Sequence, residues 1–186
     1  MKKALIVYTN GTEDVEATAV LDVLHRGGVD VKTAAIHADG SRLVNCAHGS
    51  VFLCQHNIED VEGEFDVIIV PGGPGTKSYT GCPKLIDMLK AQKARKGLIA
   101  AICAAPGVVL YGEGILQDPT KASCYPGCEC GGKFSHDGVS VNAEENIITG
   151  RSAHYAIAWG LEVLKALEGQ KVADDVATAL LVINDN

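Results

Sequence analysis

Apolar residues along this chain fall into two alternating rhythms. Short, largely apolar runs of strand length lie at Lys3–Tyr8, Asp30–Ile36, Phe65–Val70 and Leu98–Ile102. The last carries no charge, as a strand buried on both faces should. Between and after them the apolar spacing becomes helical. It predicts helices over Thr12–His25 (closed by Gly27-Gly28), over Pro83–Lys96 with a basic C-terminal end, and from Ala104 to about Gly112. Two more follow over Ala156–Leu167, ending at Gly169, and over Val172–Ile183. Leu43-Val44 and Val51-Phe52-Leu53 flank His48-Gly49 as a hairpin at one edge, and Val139–Asn142 pairs with Asn146–Thr149. Strands alternating with helices predict an α/β fold, a mainly parallel sheet covered on both faces. With no linker, repeat or low-complexity tract, residues 1–186 read as one domain. Ligands of such sheets bind beyond the carboxyl ends of the strands. Three loops leave such ends and should converge: Thr9–Asp14, Pro71–Thr76 and the turn at Cys103.

Composition narrows the partners. A net charge of -7 argues against nucleic acid, and 5% aromatics leaves little for base stacking. No apolar run is long enough to span a bilayer, and Met1-Lys2-Lys3 leads straight into strand one without a cleavage site. The expectation is a cytoplasmic protein whose seven cysteines are reduced by default.

The chemistry centres on Cys103, which falls between the apolar strand and a segment opened by Ala104, Ala105 and Pro106. A strand-to-helix elbow lifts one side chain out of the sheet. Unpaired N–H groups at a helix start favour the thiolate. The alternative is an inert core cysteine. Glu16 lies on the helical side of Ala19 and Val20; if that side faces inward, its carboxyl meets the strand ends. Beside a thiolate it would lose water and gain a like charge, so it would hold its proton and hydrogen-bond the sulfur. Glu13 and Asp14 read as ordinary helix-start acids facing water. Gly72 and Gly73 let backbone approach a ligand and, with the Ala104 N–H, offer an oxyanion hole. Cys124, Cys128 and Cys130 crowd one loop without the paired spacing of a zinc site, so no metal is expected. Of six histidines, His154 in Arg151-Ser152-Ala153-His154 is nearest in character to a site residue; it approaches the thiol or simply begins a surface helix, and the surface is favoured.

With these pieces assembled, the chain resembles the DJ-1/ThiJ/PfpI superfamily, and within it the DJ-1-like branch. The resemblance is carried by the opening strand, Glu13-Asp14-Val15-Glu16, Pro71-Gly72-Gly73, Ala101-Ile102-Cys103-Ala104-Ala105-Pro106 and Thr149-Gly150-Arg151. It implies a flavodoxin-like three-layer sandwich and a homodimer. It also implies a reactive cysteine at Cys103, its acid partner at Glu16, and binding backbone at Gly72, Gly73 and Ala104. Cys46 and Cys54 resemble secondary cysteines near the dimer contact. The resemblance implies a cofactor-independent glyoxalase or deglycase acting on a small aldehyde or dicarbonyl such as methylglyoxal. The alternative is an oxidative-stress sensor or redox-regulated chaperone whose cysteine becomes the sulfinate. Peptidase-like members carry His after the nucleophile; here Ala104 stands there, which argues against proteolysis. Tyr125 replaces a family His before Pro126, making Tyr125, Arg151 and His154 the remaining pocket candidates.

Overall fold

The computed structural model describes residues 1–182. Its main sheet has seven strands: β1 (Lys3–Tyr8), β2 (Asp30–Ala35), β5 (His56–Asn57), β6 (Val67–Val70), β7 (Leu98–Ile102), β8 (Val139–Asn142) and β9 (Ile147–Gly150). Their spatial order is β5-β2-β1-β6-β7-β9-β8. Every pairing is parallel except β8 with β9. The central strands are β1, β6 and β7, whose side chains are buried on both sides, which explains their unbroken apolar runs.

Helices cover both faces. Helices α1 (Asp14–Arg26), α4 (Ala156–Glu168) and α5 (Gln170–Ala179) bury Ile6, Tyr8, Ile69, Ile102 and Trp159 on one side. On the other, α2 (Lys77–Thr80) and α3 (Pro83–Ala94) cover Leu5, Val7, Ile68 and Ile99. The arrangement is the expected α/β sandwich, with differences in detail. The two-residue strand β5 and the single-turn α2 were not anticipated, because neither is long enough to show a period. The segment after Cys103 is a π-helix over Pro106–Tyr111, with the Gly112 N–H donating to Gly107 O at 3.0 Å. Gly107 is obligatory there, since a Cβ would lie 2.0 Å from the Cys128 carbonyl oxygen. Helix α5 begins earlier than expected, and the predicted end at Ile183 lies outside the described residues.

The hairpin of β3 (Leu43–Asn45) and β4 (Val51–Leu53) is not an edge of the main sheet. It forms a separate two-stranded sheet, with Phe52 stacked on Tyr8 at 4.5 Å. Asp14 clasps it: its carboxylate accepts from the His48 and Ser50 N–H groups at 2.8 and 3.0 Å. Asp14 is thus a tether between α1 and the hairpin, beyond a helix-start charge. Val15, expected on the apolar face, is exposed.

Candidate active site

The three loops meet. The Gly75 N–H donates to Gly11 O and the Glu13 N–H to Gly72 O, both at 3.0 Å. The Glu13 carboxylate caps α1 by accepting from the Glu16 N–H at 2.7 Å. This cap fixes the first helical turn and turns Glu16 inward, where it is fully buried. Cys103 follows β7 with φ +63°, in the left-handed region that costs a non-glycine residue about 1–3 kcal/mol. Its N–H is anchored to Gly150 O at 2.9 Å, and its carbonyl accepts from the Tyr125 N–H at 2.8 Å. The elbow is therefore braced on both sides by neighbouring chain.

Glu16 and Cys103 face each other across Gly72. A Cβ on Gly72 would sit 2.7 Å from Cys103 Cβ and 2.8 Å from Glu16 Oε2, so no other residue fits between them. Gly73 has φ +102° and would press a Cβ onto Gly11 O at 2.4 Å, so it too must be glycine.

Contrary to expectation, the Gly72 N–H is not free for an oxyanion, because it donates to Glu16 Oε2 at 2.9 Å. It holds the acid instead. The backbone groups that act on the Cys103 sulfur are the N–H groups of Ala104 and Gly73.

Burial pushes the Glu16 carboxyl up to about 7, against the Gly72 N–H and the Cys103 thiol, which favour the anion. Glu16 Oε1 is buried without a hydrogen-bond partner, an environment that disfavours the carboxylate. Burial and then the Glu16 charge push the Cys103 thiol up, and the Ala104 and Gly73 N–H groups pull it down. The thiol is thus not the freely ionising group expected from its place at a helix start. It ionises less unfavourably while Glu16 keeps its proton, although burial still opposes the thiolate, and the two groups titrate as a pair.

Tyr125, Arg151 and His154 come together, but in a groove of about 450 Å³ with Pro126, Ser152 and Tyr155 that Cys103 does not line. His154 is exposed and meets Tyr155 edge-on at 4.7 Å. Sequence reasoning missed Cys124, which is buried and donates its thiol to Cys103 O at 3.4 Å. Its place in a cysteine-rich loop drew notice; its contact with the elbow had no local signal. The loop's thiols differ in exposure from buried Cys124 to exposed Cys130, and among the described residues no three His, Cys, Asp or Glu side chains converge as metal ligands. Cys46 and Cys54 lie on the hairpin; burial pushes Cys54 up to about 12 and Cys46 upward as well.

Comparison with known proteins adds a lineage to this geometry. The sequence profile of the DJ-1/PfpI family matches residues 2–166. The chain belongs to that family. Within it, the chain is 31% identical over 188 residues to the Parkinson disease protein 7 homolog of Danio rerio, covering 97% of each. It is 32% identical over 186 residues to the glutathione-independent glyoxalase DJR-1.2 of Caenorhabditis elegans, covering 96% of each. The solved structure of oxidized Toxoplasma gondii DJ-1 superposes with a TM-score of 0.91 at 31% identity, covering 97% of this chain and 98% of that one. These DJ-1 relatives support the DJ-1-like branch. No helix among the described residues is long and apolar enough to cross a membrane.

Proposed function

We propose that this DJ-1/PfpI protein is a cofactor-independent glyoxalase-type enzyme acting on small dicarbonyls such as methylglyoxal. The observation that carries the reading is the buried Glu16 carboxyl facing Cys103 across Gly72. Glu16, pushed up to about 7, is shared between acid and carboxylate near neutral pH, and the N–H groups of Ala104 and Gly73 favour charge on the sulfur. The Cys103 thiolate adds to the aldehyde carbon, and the new alkoxide takes the Glu16 proton to give a hemithioacetal and leave Glu16 a carboxylate. Glu16 then removes the hydrogen from that carbon, the hydroxyl proton passes to the neighbouring carbonyl oxygen through an enediol, and Glu16 returns its proton to the neighbouring carbon. The product is a lactoyl thioester; water hydrolyses it to lactate and free thiol, and this hydrolysis reprotonates Glu16. Each proton Glu16 takes it gives back, so the cycle consumes only substrate and water. The name of the Caenorhabditis elegans relative supports this reaction class.

The deciding experiment is Cys103→Ala. Methylglyoxal turnover without glutathione should vanish while the circular dichroism and melting temperature persist; full turnover in the purified variant overturns the reading.

A second reading, a redox sensor that turns over no substrate, draws on the same thiol. Cys103 is partly exposed, and the Ala104 and Gly73 N–H groups suit a sulfinate as well as a thiolate. A homodimer also fits. Leu43, Val51 and Leu53 share the outer face of the β3–β4 hairpin and are exposed, with exposed Val15 on the adjoining helix. The cytoplasm, where thiols stay reduced, suits seven unbridged cysteines.

A further inference from the structure

Two grooves open at the carboxyl side of β7 and β9, and the proposed chemistry uses neither. One, of about 570 Å³, runs along Lys133–His136; the other, of about 450 Å³, carries Tyr125 and His154. Arg151 lines both. Its backbone N–H donates to Gly138 O at 2.8 Å, its Nη1 donates to the His136 carbonyl at 2.8 Å, and its Nη2 lies 3.3 Å from His136 Nδ1. These contacts fix the guanidinium without neutralising it. Among the described residues no carboxylate forms an ion pair with Arg151 or Lys133. The larger groove does hold one acid, Glu129, but its Oε2 accepts from the Gly127 N–H at 2.7 Å. In a chain of net charge -7, this is a local reversal of sign.

The grooves also adjoin the reactive elbow. Ile102 and Gly150 are register partners on parallel strands, and the Cys103 N–H donates to Gly150 O at 2.9 Å, so Arg151 follows directly on the residue that anchors the elbow. A positioned guanidinium with spare N–H donors suits two oxygens of one anion, and Lys133 adds a point charge.

We infer that the grooves around Arg151 bind a small oxyanion, a carboxylate or a phosphate, and that the preferred substrate is a reactive carbonyl compound bearing such a group. The second half of this inference rests on the glyoxalase-type reading; the first does not.

The test titrates the full chain with inorganic phosphate and, separately, with malonate, against sodium chloride of matched ionic strength. Binding is followed by calorimetry and by the His136 and His154 ring resonances. The expected result is saturable binding, weakened roughly ten- to a hundredfold by Arg151→Gln and partly restored by Arg151→Lys. The tighter probe distinguishes phosphate from carboxylate. Lys133→Gln perturbs the same groove without touching the His136 contacts, so the test survives a misfolded Arg151 variant. No saturable binding, or binding indifferent to both changes, overturns the inference. In the kinetic arm, a 2-oxoaldehyde carrying a carboxylate or phosphate ester should show a higher kcat/KM than methylglyoxal. That ratio should fall about tenfold in Arg151→Gln; an unchanged ratio refutes the substrate assignment. Titrating Cys103→Ala separates the two readings. If it binds the anion while the native enzyme's turnover proves independent of Cys103, only the reaction fails. If turnover needs Cys103 but no anion binds, only the groove assignment fails.

Discussion

Replacing Glu16 by glutamine should make the protein more stable at mildly alkaline pH, although it removes a candidate catalytic group. The side chain is fully buried, and its pKa rises from 4.5 to about 7 on folding, chiefly through burial. A carboxyl raised in the folded state binds its proton more tightly there than in the unfolded chain. Its contribution is therefore fully present below about pH 4.5 and is lost as pH rises through about 7. The loss amounts to about 3 kcal/mol, from roughly 1.4 kcal/mol for each pKa unit. Glutamine keeps the shape and can still accept from the Gly72 N–H, but it never ionises. Urea unfolding of both proteins at several pH values from about 4 to 8 reads the difference directly, because titrations common to both cancel. The stability of the native protein relative to Glu16→Gln should fall by about 3 kcal/mol across that window, equivalent to a melting shift of roughly 6–12 °C near pH 8. A difference between the two proteins that does not change with pH would refute the reasoning: Glu16 would then titrate as in the unfolded chain, and its role as a proton carrier at neutral pH would go with it.

Other consequences are as direct. Gly72→Ala should cost about 1–3 kcal/mol by overpacking and lower kcat/KM for methylglyoxal by about a hundredfold, because the added methyl drives Glu16 and Cys103 apart; turnover at the native level would contradict the close approach. Leu53→Glu on the outer face of the hairpin should convert a dimer to monomer in sedimentation velocity without loss of helicity, whereas an unchanged dimer would place the contact elsewhere. Mild peroxide followed by mass spectrometry should add two oxygens to Cys103 before the other six cysteines, because the Ala104 and Gly73 N–H groups favour negative charge on its sulfur and its oxidised forms. Indiscriminate oxidation would count against the sensor reading.

The local pattern was enough for much of this molecule. An uncharged run at Leu98–Ile102 followed by Ala104-Ala105-Pro106 identifies a buried strand and the elbow at Cys103, because burial on both faces and a proline-compatible helix start are both written in neighbouring residues. The helical phase of Glu16 against Ala19 and Val20 likewise points its carboxyl inward. What the period could not supply were relations between distant segments. The Gly72 N–H was read as an oxyanion donor, and only the fold shows that Glu16, 56 positions away, already occupies it. The hairpin's alternation suits an edge strand, yet stacking of Phe52 on Tyr8 and the grip of Asp14 carry it onto the end of β1. Most tellingly, a helix start predicts an easily ionised thiol, while the depth of burial and the opposing carboxyl reverse that prediction. Desolvation and pair coupling depend on everything that surrounds a group in space, so the chain alone can nominate Cys103 and Glu16, and packing decides which of them holds the proton.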